Sequence, residues 1–188
     1  METKIPAPGP RNLEDDYFRQ LDAERVAQRR VDADRALAAS RLAQALGRPN
    51  SEWMSRLLSL GLTEENAAAF HLLPLVEVAW ADGSVAPEER ERLLDGAKRL
   101  GLVPGAAAQN LLESWLERRP EPDWSRAWHA LAAEYRRHGI APDERWRLVQ
   151  EAEAVASAAG GMLGFGAVSR LERLVIDRIG ASIGAPPA

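Results

Sequence analysis

Apolar residues recur at three- and four-residue spacing through most of this chain, and no stretch alternates with the two-residue rhythm of a strand. Alanine, leucine, arginine and glutamate, all good helix formers, dominate throughout. The pattern predicts an all-α protein with helices over 13–46, 51–60, 64–81, 87–100, 104–118, 123–138, 142–159 and 169–181, the third broken or restarted at Pro74. The boundaries share one grammar. Leu60-Gly61-Leu62, Leu100-Gly101-Leu102 and His138-Gly139-Ile140 each set a glycine and then an apolar residue behind a helical run. Glycine closes a helix in the left-handed conformation, and the apolar residue packs back on its last turn. Thr63, Pro104 or Pro142 then opens the next helix, and Ser169-Arg170-Leu171-Glu172 is a capping box that marks the start of the last one.

The first helix differs from the rest. Glu14, Asp15, Asp16, Asp22, Glu24, Asp32 and Asp34 alternate with Arg19, Arg25, Arg29, Arg30 and Arg35, and the apolar positions between them are sparse. Such a helix is either solvated and held by its own ion pairs or a partner-binding or dimerising arm. The chain therefore divides into a tail at 1–10, a charged helical arm at 11–50, a helical domain at 51–181 and a short tail at 182–188.

Composition narrows the chemistry. A length of 188 residues suits one domain plus an appendage, and 46% hydrophobic with 28% charged residues is ordinary for a soluble protein. A net charge of -4 argues against a nucleic-acid partner, which needs a concentrated basic surface. The absence of cysteine excludes disulfides, thiol nucleophiles and thiolate metal sites. No run of eighteen apolar residues is present, and Met1–Pro10 carries three prolines without the apolar core of a signal peptide. The expectation is a cytoplasmic protein with no membrane insertion.

The chemically richest stretch is Ala79-Trp80-Ala81-Asp82-Gly83-Ser84-Val85-Ala86-Pro87-Glu88-Glu89, where one helix ends on an Asp-Gly corner and the next starts at once. Asp82 lies where a helix C-terminus disfavours negative charge, so it needs local compensation. One reading is an Asx turn in which the carboxylate accepts backbone N–H groups near Ser84 and Val85. The other is a hard cation, Ca²⁺ or Mg²⁺, held by Asp82 with Glu88 or Glu89. The spacing is not that of an EF-hand.

Elsewhere, Glu77 is the lone carboxylate in the apolar run Leu72–Ala81 and is expected at a rim or against an arginine. Gly160-Gly161-Met162-Leu163-Gly164-Phe165-Gly166 lacks the strand and the Lys-Ser/Thr of a phosphate loop and reads as a wide corner. His71, His129 and His138 have no zinc spacing, and no Ser-His-Asp signature occurs. Trp115, Trp124, Trp128 and Trp146 read as core, with a peptide groove as the alternative.

Val78-Ala79-Trp80-Ala81-Asp82-Gly83 has an echo in Val155-Ala156-Ser157-Ala158-Ala159-Gly160, each followed by a corner and a helix with glutamate in its first turn. This repeated pattern resembles the TerB-like domain of tellurite-resistance and stress proteins over about 51–181. The resemblance implies a compact bundle of about seven or eight helices without catalysis, and a divalent cation at Asp82, Glu88 or Glu89, and Glu172. Ala159 stands where a symmetric site would have a second aspartate. The function expected is a non-enzymatic accessory or stress-response protein with a protein partner. The alternative is a metal-free interaction module that uses the first helix or an aromatic groove.

Overall fold

The computed structural model describes residues 10–47, 53–138, 142–160 and 168–184. Among them are nine helices and no strand, as the hydrophobic spacing predicts. They are α1 (Pro10–Ala45), α2 (Trp53–Ser59), α3 (Ala67–Phe70), α4 (Leu73–Ala79), α5 (Pro87–Arg99), α6 (Ala107–Glu117), α7 (Pro122–His138), α8 (Pro142–Gly160) and α9 (Arg170–Ile183).

The helix expected over 64–81 is two short helices, and the break precedes Pro74. A proline ring clashes with the carbonyl four residues back, so the chain unwinds before it. His71 and Leu72 turn through N–H bonds to the carbonyls of Ala68 and Ala69, at 3.3 and 2.9 Å. Pro74 then sits in the first turn of α4, where its missing N–H leaves no hydrogen bond unmade.

The helix corners obey the local grammar. After α2, Gly61 takes φ +92°. Its N–H reaches the Leu58 carbonyl at 3.0 Å, the Leu62 N–H reaches that of Leu57 at 2.9 Å, and Leu62 is buried beneath the turn. Gly101 and Leu102 repeat the arrangement after α5, bonding to Lys98 and Ala97 at 2.9 and 3.0 Å. These are paired Schellman bonds, which satisfy the last carbonyls of each helix. The corner predicted at His138-Gly139-Ile140 lies outside the described residues, and so does the glycine-rich segment 161–167.

α4 is the hub of the bundle. It packs against α5, α6, α7, α8 and α9, and Leu73, Pro74, Leu75, Val76, Val78 and Ala79 are all buried. The two sequence repeats are helix pairs, α4–α5 and α8–α9. α8 lies against both α4 and α5, and α4 against α9, so each pair covers the apolar face of the other. Three tryptophans pack on α6 and α7. Trp115 and Trp124 meet edge to face at 5.0 Å with Phe70 beside them at 6.3 Å, and Trp128 is buried on the next turn of α7. Among the described residues α1 meets this body through its C-terminal part, where Arg35 donates to the Ser55 carbonyl at 3.3 Å and Leu42 and Ala43, with Leu46 just past the helix, are buried.

Two substitutions test this packing. Leu73→Ala, at a fully buried position, is expected to cost about 2–5 kcal/mol in urea unfolding. Gly61→Ala meets no atom within 4 Å, so its expected loss of about 1–2 kcal/mol is purely backbone strain.

Candidate acidic site at the repeated helix starts

The first corner is built by short-range bonds. Beyond Ala79, the N–H groups of Trp80 and Ala81 close the last turn of α4, and Gly83 at φ +102° reverses the chain. Asp82 is exposed, and its Oδ1 accepts the Ser84 N–H at 3.1 Å. This is the Asx turn anticipated for that residue. The indole N–H of Trp80 donates to the Trp115 carbonyl at 2.8 Å and fastens the corner to the end of α6.

α5 then starts at Pro87, and its first free N–H groups need acceptors. Glu89 Oε2 reaches back to the Ala86 N–H at 2.8 Å. Ala86 has no side-chain oxygen to return the bond, so this is half of a capping box. α9 has the complete form: Ser169 Oγ accepts the Glu172 N–H at 3.2 Å, and Glu172 Oε2 accepts the Ser169 N–H at 2.5 Å.

The two capping glutamates converge. Glu89 and Glu172 are both buried, and their carboxyl groups are within hydrogen-bonding reach of each other. Burial pushes the Glu89 carboxyl up, the Ala86 N–H opposes this, and the charges of Glu172 and Asp82 push it further, to about 7. Two adjacent carboxylates in a poorly solvated site cannot both ionise cheaply, so they share a proton or take a positive ion.

The structure thus brings together three of the residues singled out in the sequence: Asp82, Glu89 and Glu172. Glu88 is half-buried in the same first turn. Among the described residues, no group of three or more histidine, aspartate or glutamate side chains is arranged to hold a metal ion. The acidic site has two touching carboxyl groups, with Asp82 contributing charge at longer range. Ala159, the counterpart of Asp82, ends a helix whose following corner is outside the described residues.

A second polar cluster escaped the sequence reading in part. Glu77 does meet an arginine: its Oε2 accepts from Arg178 at 3.0 Å. The same oxygen lies 3.3 Å from His129 Nε2, and His129 Nδ1 lies 2.8 Å from Ser182 Oγ. These groups are 52, 53 and 101 residues apart, so no local motif announces them. The one trace is the four-residue spacing of Arg178 and Ser182, which sets both on one face of α9. Ser182 also donates to the Arg178 carbonyl at 2.9 Å. The cluster clamps α4, α7 and α9. Burial pushes Glu77 up, but hydrogen bonds from His129 and Ser125 and the positive charges of His129 and Arg178 outweigh it, leaving the carboxyl below its ordinary range.

Comparison with protein families matches residues 66–188 to TerB, described as tellurite resistance protein TerB. The chain belongs to the TerB family. The matched region runs from just before α3 to the C-terminus, so the acidic site and the Glu77 clamp are both within the TerB domain, whereas α1 and α2 precede it. No curated protein and no solved structure gives a significant match. No helix among the described residues of this TerB chain is long and apolar enough to cross a membrane.

The two buried carboxylates pull the pH dependence of this TerB domain in opposite directions. The contribution of Glu77, whose folded value is lowered, is present above the ordinary carboxylate range and lost as pH falls below it. The contribution of Glu89, whose folded value is raised, is present below about 4.5 and lost as pH rises through about 7. Melting temperature is therefore expected to peak at mildly acidic pH. Glu89→Gln should flatten the neutral limb and Glu77→Gln the acid limb, as followed by circular dichroism across pH 3 to 9.

Proposed function

We propose that this TerB-family chain is a non-enzymatic accessory protein of the stress response whose acidic site takes a divalent cation. Glu89 and Glu172 would supply the carboxylate ligands, with Asp82 adding charge at the open side. The observation that carries this reading is the convergence of two buried capping glutamates, one pushed up to about 7 first by burial and then by the charges of the other and of Asp82. Each spends one oxygen on a backbone N–H, which fixes its direction. The donor set is all oxygen and suits Mg²⁺ or Ca²⁺. With only two carboxylates in contact, Mg²⁺ fits better, since it keeps several waters and is commonly held by one or two carboxylates. A bound cation would supply charge neutralisation and tie the start of α5 to the start of α9.

The expected consequence is measurable in thermal melts of EDTA-stripped protein with Mg²⁺, Ca²⁺, Mn²⁺ or Zn²⁺. A cation at about a hundred times its dissociation constant stabilises by roughly 2.7 kcal/mol. The gain should grow as pH rises from 6 to 8, because binding displaces the shared proton. Asp82→Asn, which keeps the Asx turn, should weaken the effect, and Glu172→Gln should abolish it. Cation-independent melts at every pH would refute the reading.

A further inference from the structure

α1 is a helix of 36 residues that the bundle covers only at its end. From Glu14 to Leu37 every residue is exposed except Leu21, which is half-buried. That span is about 36 Å of helix at 1.5 Å per residue. Ion pairs from Arg19 to Asp16 and Arg25 to Asp22, with a Gln28–Asp32 hydrogen bond, support it from within. They leave Tyr17 and Phe18, at 61% and 59% exposure, with only each other's rings at 5.8 Å. Val26 and Val31 are equally bare.

The interleaved charges of the arm are unevenly divided between its halves. Glu14–Glu24 carries five carboxylates and one arginine, whereas Arg25–Arg35 carries four arginines and two aspartates. The arm is thus its own electrostatic complement when reversed, and repels itself when parallel. Tyr17, Leu21, Glu24, Gln28, Val31 and Arg35 follow one another at alternating spacings of four and three, the seam of a two-helix coil.

We propose that α1 joins a second copy of this chain, arm against arm and antiparallel, with the crossing at Val26. This register sets Leu21 against Val31 of the second copy and Glu24 against its Gln28. Tyr17 meets Arg35 of the second copy, a cation–π pairing that uses the guanidinium face and leaves its Nη2 bond to the Ser55 carbonyl of its own bundle, at 3.3 Å, in place. Each acidic half then lies along a basic half. Residue 14 falls opposite residue 38, so the pairing ends where the helix enters its own bundle. A second copy is favoured over an unrelated protein because both the charge pattern and the mixed seam, with Tyr17, Leu21 and Val31 as its apolar members, are self-complementary about one point.

Sedimentation equilibrium of the full chain tests this directly. The expected mass is twice 20.6 kDa at tens of micromolar protein, falling towards 20.6 kDa in about 1 M salt. A variant with Asp15, Asp16 and Asp22 changed to arginine, and another with Arg25, Arg29 and Arg30 changed to glutamate, should each be monomeric. Mixing them one to one should restore the doubled mass, since one arm then carries a net positive charge and the other a net negative charge. That rescue separates a lost interface from a lost fold. A monomeric wild-type chain at every concentration, or a dimer that persists in both variants alone, would overturn the proposal.

Discussion

The burial of α4 is the constraint around which the molecule is arranged. A seven-residue helix with six buried residues can persist only if neighbours surround it, and five helices do so. Its remaining residue, Glu77, is a carboxylate held at the edge of that core. An unpaired buried charge costs far more than a folded domain can spare. Arg178 and His129 meet it from α9 and α7, so the charge that would unfold the hub instead ties it to two of its walls. Trp80, just past the end of α4, does the same with α6 through its bond to the Trp115 carbonyl.

Packing two similar helix pairs against each other creates a second, opposite tension. At the start of α5 and of α9, a glutamate in the third position is the best local solution for free N–H groups. Each is favourable on its own. Their meeting is unfavourable, because the fold brings both carboxyl groups into one buried place beside Asp82. Local and global preferences agree almost everywhere in this chain, and their conflict here is the kind found at functional positions. A proton on Glu89 relieves it at acid pH.

The arm obeys different physics from the body. Apart from Leu21, nothing in the stretch from Glu14 to Leu37 buries a side chain, so its helicity rests on neighbouring charges of opposite sign. In folded proteins most helical stability comes from packing of an apolar face, which this stretch lacks within its own chain. The uneven division of the two signs between its halves adds something that local pairs do not require: a direction in which the helix is complementary to itself.

Local chemistry was legible in the sequence because it acts within three to five residues. The glycine corners at Gly61 and Gly101, the Ser169–Glu172 box and the Asx turn at Asp82 all join near neighbours, and each appears as the spacing predicts. The all-helical class and the TerB resemblance follow from the same short-range patterns. Which glutamate of the Glu88–Glu89 pair matters was not legible, since both suit a first turn and only the docking of α9 against α4 and α8 turns Glu89 towards Glu172. Nor could the sequence assemble Glu77, His129 and Ser182 from three separate helices. The sequence by itself determined the helix ends at Gly61 and Gly101 and the start of α9 at Ser169, because capping is a contest among adjacent backbone groups. Only the tertiary structure decided which buried charges face one another, because that depends on how distant apolar faces exclude water together.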